Sequence, residues 1–402
     1  MKKPLFLSGL VMVSLPVIGW ALYQHPSVNY RVEVLRAELR DTFFPVPQTL
    51  PTPIAVAPTL AGLSTLAPTQ PPGPTVEPAQ PAEAAAPTLA ASPAPELPPQ
   101  VTLTGFEHQY QKFNNCGPAT LTTALSYYGR PERQDEAAAV LKPDGNDRNV
   151  SPNEMSAYIH QVGLEATVRV GGALDDLKRL IASGYPVIVE KGFDVSADKG
   201  WMGHYLLLTG YDDAQGLFIA QDSFLGPDQR VPYDKLDYYW RQFNRLYILP
   251  YPVNNEAEIN SLIGPEDFTA MVAAALATAQ TEAAADPNDA NAWFNVGTNL
   301  AALERYAEAA AAYDQARVAG LPWRMLWYQF GPYKAYYYAG RYDEVLALAD
   351  ATLAAQDNLE ESHYWRGLAL QSLGNSEEAR REFETALAYN PNFEPARAAL
   401  GN

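Results

Sequence analysis

The chain has 402 residues, 47% of them hydrophobic, a formal net charge of −18 and one cysteine. The length allows two or three domains, and the acidic balance excludes a nucleic-acid partner, because polyanions bind basic surfaces. One cysteine and five scattered histidines give no zinc-ligand spacing, and no Gly-rich phosphate loop is present, so neither a metal nor a nucleotide cofactor is expected.

The chain opens "MKKPLFLSGLVMVSLPVIGWALYQ". Lys2 and Lys3 precede an uncharged run from Pro4 to Tyr23, long enough to cross a bilayer as a helix. Residues 1–24 read as an uncleaved signal anchor, with a cleaved signal peptide as the alternative. A juxtamembrane segment follows at 25–44. The expected placement is a single-pass protein of the cell membrane with extracytoplasmic domains, or a secreted one. Residues 45–100 hold 16 of the 34 prolines and no Lys or Arg. Such a segment favours extended polyproline conformations and reads as a disordered linker, a stalk holding a domain away from the membrane.

From 101 to 253 the composition becomes globular. A helix fits 117–128, with Leu121, Ala124, Leu125 and Tyr128 on one face. Another fits 151–161, where "SPNE" supplies Ser151 as cap, Pro152 in the first turn and Glu154 at the third position. "EATVRV", "PVIVEKG", "HYLLLTGY", "LFIAQD" and "RLYILPY" then read as strands. Helices first and strands later predict an α+β domain with a mostly antiparallel sheet. This domain is expected to fold without the stalk or the segment that follows it.

Residues 256–402 are Ala-rich and helical in pattern, with a leading half-repeat at 266–284. Tyr306, Tyr342 and Ser376 occupy matching places, and Gly297 matches Gly367, Ala309 matches Ala379 and Tyr313 matches Phe383. The unit around "QFGPYKAYYYAGRYDEVLALA" is degenerate. The pattern resembles the tetratricopeptide repeat, which implies an all-α domain offering a surface for a protein or peptide partner.

The lone cysteine, Cys116, stands in "NNCGP" at the predicted start of a helix. There unpaired N–H groups and the helix dipole lower a thiol pKa. A nucleophile also needs a base, and His25, His108, His160, His204 and His363 compete for that role. If Gly210 pairs with Gly216 across "YDDAQ", His204 lies directly opposite Asp222, a carboxylate able to orient its ring. Trp201 and Trp240 are candidates to line a peptide cleft or to fill the core.

"NNCGPATLTTALSYYG", "GHYLLLTGYDDAQGLFIAQDSFLG" and "DYYWRQFNRLYILPYP" together resemble the C39-like branch of the papain-type cysteine peptidases. The resemblance implies Cys116 as nucleophile, His204 as base and Asp222 as orienter, with a glutamine before the cysteine as oxyanion donor. Gln109 and Gln111 are both available, and Gln111 stands closer to the usual offset. Asp222-Ser223 departs from the family's frequent Asp-Pro. The expected function is a membrane-tethered cysteine peptidase acting on a peptide or protein. A papain-like interaction protein that no longer cuts is the alternative.

Overall fold

The computed structural model of the protein describes residues 49–55, 97–144, 147–194 and 200–401. The expected anchor at 1–24, the juxtamembrane segment and most of the linker lie outside these residues. Among the described residues no helix is long and apolar enough to cross a membrane.

The first folded unit is a seven-stranded antiparallel sheet covered by helices on both faces. β1 (Gln100–Thr102) precedes α1 (Cys116–Tyr127), α2 (Gln134–Leu141) and α3 (Pro152–Gln161). Then come β2 (Glu165–Arg169), α4 (Leu174–Ala182), β3 (Val187–Asp194), β4 (Trp201–Asp212), β5 (Leu217–Asp222) and β6 (Gly226–Pro232). α5 (Tyr233–Trp240), β7 (Tyr247–Tyr251) and α6 (Glu256–Ile263) complete it. The strand order is β2-β7-β3-β4-β5-β6, with β1 extending the sheet along the far end of β4.

Strand alternation explains the two-sided cover. Val187, Val189, Leu206, Leu208 and Phe218 face α4, α5 and α6, while Ile188, Tyr205, Leu207 and Ile248 face α1, α2 and α3. A strand buried on both faces reads as a continuous apolar run, which is how "PVIV" and "YLLL" read. α3 begins as the sequence predicts, with Ser151 Oγ accepting from Glu154 N and Glu154 Oε2 accepting from Ser151 N. Trp240 is fully buried in the core and donates to the Leu246 carbonyl, so it lines no cleft. α6 lies inside the 256–402 stretch expected to hold the repeats, yet it buries Ile259 in the sheet core.

The second unit is helical: α7 (Phe268–Ala285), α8 (Ala290–Ala302), α9 (Tyr306–Ala319), α10 (Gly331–Tyr338), α11 (Tyr342–Ala355), α12 (Glu360–Ser372), α13 (Ser376–Tyr389) and α14 (Glu394–Ala399). The aligned residues Tyr306, Tyr342 and Ser376 each open the second helix of a pair. Gly297 and Gly367 sit where paired helices touch: a Cβ would lie 2.8 Å from the Tyr313 ring and 2.5 Å from that of Phe383. The middle pair departs from the pattern. A 3₁₀ segment, Trp323–Trp327, precedes α10, which has 8 residues where α8 and α12 each have 13.

The two units are packed together. Asn244 and Asn299 exchange amide hydrogen bonds of 2.8 and 3.1 Å, Arg241 pairs with Asp289, and Arg245 bridges Asp237 and Glu282. Asn358 reaches Asp144, and Asn149 reaches Glu361. Part of the expected stalk is also folded. Residues 49–55 lie along α9 and α11 instead of standing free, with Leu50 buried in the helical core.

Candidate active site

Cys116 is the first residue of α1. The turn before it contains a left-handed residue, Asn114 (φ 55°), a conformation that asparagine adopts more readily than other non-glycine residues. The buried Lys142 fixes this turn by donating to the Asn114 carbonyl at 2.8 Å and the Asp147 carbonyl at 2.7 Å, and Arg148 donates to Asn114 Oδ1. Asn115 does not cap the helix with its side chain but donates to Gln134 Oε1. Thr120 donates to the Tyr205 carbonyl, fixing α1 against β4.

His204 and Asp222 meet, though not by the expected pairing. Gly210 pairs with Ile219, not Gly216, and Asp212 pairs with Leu217. That alignment is three residues from the expected one and would put His204 and Asp222 on opposite faces, because side chains alternate with period two. The ladder then shifts by one between Leu208 and Gly210, leaving Thr209 as a bulge. Beyond it Leu208 pairs with Ala220 and Leu207 with Gln221. The remaining offset of two keeps His204 and Asp222 on one face as diagonal neighbours, and His204 Nε2 lies 3.0 Å from Asp222 Oδ1. The same oxygen accepts from Phe224 N at 2.8 Å and Leu225 N at 3.1 Å.

With Nε2 turned to Asp222, the other edge of the imidazole serves Cys116, which is hydrogen-bonded to His204 and to the Tyr205 backbone N–H. Enclosure pushes the Cys116 thiol up, but the His204 hydrogen bond and charge, Tyr205 N–H and Lys142 outweigh it, so its pKa falls below the ordinary value. Burial pulls His204 down, and Asp222 and Cys116 together overcome this and raise it. Burial raises Asp222, yet His204 and the two backbone amides hold it down at about 2. The shifts all favour a thiolate, an imidazolium and a carboxylate.

Gln111 lies beside this chain of groups. Its backbone N–H donates to the Ser223 carbonyl at 2.8 Å and its Oε1 accepts from Ser223 Oγ at 2.9 Å. Its Nε2 thereby remains the donor. Gln109 is committed elsewhere: it is buried, and its Oε1 accepts from Gln134 N at the start of α2. The other candidate bases are separate from the thiol. His108 bonds Gln221, half-exposed His160 lies beside Glu165, His363 pairs with Glu382, and His25 lies outside the described residues. Among the described residues no three or more His, Cys, Asp or Glu side chains are grouped to hold a metal ion.

Several residues at the site escape a reading of sequence. Cys116 and His204 border a cavity of about 10 Å³, whose lining includes Arg148, Glu190, Tyr205 and, from the helical unit, Tyr328. Glu190 is a carboxyl in the apolar run of β3, and burial, with the negative Cys116 nearby, pushes its pKa well above the ordinary value. Its hydrogen-bond partner Tyr205 donates its own proton to the Val150 carbonyl. Lys191, paired with His204 across the ladder, is lowered by burial to about 8. Tyr328 packs on Gly203, where a Cβ would lie 2.9 Å from its ring and 2.9 Å from Phe243. Trp201 stacks on Phe243 and donates to Gln242 Oε1, closing the same aromatic group. The degenerate middle repeat is thus the part of the helical unit that touches the site.

The family described as "Peptidase_C39 like family" matches residues 100–248, and "Tetratricopeptide repeat" matches 360–393. Residues 100–248 are a C39-like peptidase domain, and a tetratricopeptide repeat follows it. No curated protein matches the chain. Among solved structures, a C39-like peptidase from Bacillus anthracis is 18% identical (TM-score 0.32), covering 38% of this chain and 96% of its own. A double glycine motif protease from an AMS/PCAT transporter, solved with its leader peptide, is 18% identical (TM-score 0.28), covering 38% of this chain and 99% of its own. YrrB, a TPR protein with an unusual peptide-binding site, is 18% identical (TM-score 0.20), covering 37% of this chain and 88% of its own. The C39-like domain thus carries Cys116, His204 and Asp222, while the repeat region contributes Tyr328 to the cavity beside them.

Proposed function

We propose that the chain is a thiol peptidase hydrolysing peptide bonds outside the cytoplasmic membrane. The observation that carries this reading is the hydrogen-bonded series from Cys116 through His204 to Asp222, with its shifts toward thiolate and imidazolium. Thiolate Cys116 attacks the scissile carbonyl carbon. The oxyanion is held by the Cys116 backbone N–H and Gln111 Nε2. His204 gives its proton to the leaving amine as the C–N bond breaks, leaving a thioester on Cys116. Neutral His204 then takes a proton from water, which attacks the thioester, and returns it to the departing sulfur. Asp222 keeps the ring in its tautomer throughout.

The run from Pro4 to Tyr23 behind Lys2 and Lys3 supports a membrane tether with the domains exported. The repeats supply the surface that recruits a protein or peptide partner. A second reading, an interaction protein that does not cut, draws support from the cavity, which has room for about one water. The test is to incubate the full chain with a peptide library and identify products by mass spectrometry. Cleavage that disappears in Cys116→Ala is expected. No cleavage by the wild type or by Tyr328→Ala, with Cys116 labelling no faster than a free thiol, would establish the second reading instead.

A further inference from the structure

The segment 49–55, "TLPTPIA", is bound to the repeat region as a ligand is bound. Thr49 bridges Pro322 in antiparallel fashion, Leu50 N donates to the Leu321 carbonyl at 3.0 Å, and the Leu50 side chain is 4% exposed within the helical core. Arg317 then donates from Nε to the Pro51 carbonyl at 2.8 Å and from Nη2 to the Thr52 carbonyl at 3.1 Å. Glu344 Oε1 accepts from Ile54 N at 2.7 Å and Ala55 N at 3.3 Å. Arg341 donates to the Ala55 carbonyl at 2.7 Å while it also pairs with Asp314.

Arg317 and Glu344 form an ion pair of 2.7 Å with side chains 0% and 4% exposed. A buried pair is favourable only when its remaining donors and acceptors are satisfied. Here the incoming main chain supplies those partners. The match extends to the prolines: Pro51 and Pro53 have no N–H, and the two amides that follow, at 54 and 55, meet the one carboxylate. Thr52 and Ile54 point to solvent, Ile54 at 64% exposure. The groups on α9 and α11 therefore read main chain, proline spacing and one apolar side chain, not the residues between.

We propose that this face of the second helices of consecutive repeats is a binding site for extended peptides of the form aliphatic-Pro-x-Pro, filled in this chain by residues 49–55. Occupation from within has a geometric consequence. The chain meets the folded body at Thr49 and returns to it at Pro98 and Pro99, whose carbonyls accept from Tyr211 Oη and Asp213 N. The clamp therefore ties residues 49 and 98 to the same folded body, and a peptide of the same kind supplied from outside competes with it. This inference stands apart from the chemistry at Cys116.

The test uses the full chain and a fluorescein-labelled peptide of sequence TLPTPIA. Leu50→Asp changes only the incoming segment and empties the site. Saturable binding to Leu50→Asp is expected, with binding to the wild type at least tenfold weaker because the tethered segment competes at high effective concentration. A peptide with Asp in place of Leu is expected not to bind. In hydrogen exchange, the Ile54 and Ala55 amides are expected to be protected in the wild type and unprotected in Leu50→Asp. Unprotected amides in the wild type would overturn the proposal. So would a Leu50→Asp chain that keeps its circular dichroism and fails to bind the peptide at millimolar concentration.

Discussion

Asp222→Asn isolates the charge of the group that orients His204. In the native protein Asp222 Oδ1 accepts from His204 Nε2 and from the backbone amides of Phe224 and Leu225. Those two amides require an acceptor, so an asparagine turns its oxygen to them and hence to His204. The ring keeps its Nε2–H tautomer, and what is lost is the negative charge. Its size follows from the Asp222 carboxyl, held at about 2 against an ordinary 3.8. At 1.36 kcal/mol per unit the carboxylate is stabilised by about 2 kcal/mol net of the burial that opposes it, a gain that His204 shares with the two backbone amides. Loss of the charge is therefore expected to lower the His204 pKa and to cost on the order of 30-fold in rate, well short of the 10⁴-fold that follows when a replacement enforces the wrong tautomer. Imidazole ¹⁵N spectra of the full chain, with His204 assigned through His204→Ala, report both pKa and tautomer. An unchanged His204 pKa in a folded Asp222→Asn protein would refute the reasoning, and so would a proton moved to Nδ1.

Tyr328→Ala is expected to speed labelling of Cys116 by fluorescein maleimide at least tenfold with a smaller effect on iodoacetamide, since Tyr328 walls the cavity. The same substitution is expected to cost about 3 kcal/mol of stability, and equal acceleration of both reagents would show that the ring does not screen the thiol. Glu190→Gln is expected to leave the pH dependence of alkylation unchanged, because burial holds the native carboxyl toward its neutral form; a fall of one unit in the apparent thiol pKa would show that it is ionised. Asp147, Glu190 and Glu361 are all held well above the ordinary carboxyl range, burial being the first cause. The folded protein therefore keeps protons that the unfolded chain gives up, and this stability is complete below the ordinary carboxyl values and lost as pH rises through the raised ones. The Tm is expected to fall between pH 5 and pH 7.5, and a Tm rising over that range would contradict the assignment. Asp222, held at about 2, acts in the opposite sense, and its contribution disappears only in strong acid.

The elements legible in the sequence are those whose own residues decide them. α3 carries its capping box in four letters, and β3, β4 and β7 are apolar runs covered on both faces. The paired-helix glycines were legible because Tyr313 and Phe383 recur at one spacing. β6 was not, since "GPDQRVP" has the composition of a turn and pairs on one side only, with β5. The hairpin register depended on a bulge at Thr209 that no residue type announces, although the face shared by His204 and Asp222 survived the error because the net offset was even. Glu190 left a signal, a carboxyl within "PVIVEKG", that an apolar-run reading passes over. Tyr328 and the Arg317–Glu344 clamp left none, because each acts on residues more than a hundred positions away.

The most direct measurement is the alkylation rate of Cys116 in the full chain as a function of pH, free of background because no other cysteine is present. The activated thiol predicts a rate at pH 6 at least tenfold above that of a model thiol, falling as pH drops through the lowered Cys116 pKa. His204→Ala should return the inflection toward the ordinary thiol value. Equal rates for the folded wild type and the model thiol at pH 6, or an inflection unmoved by His204→Ala, would contradict an imidazole-activated nucleophile at Cys116.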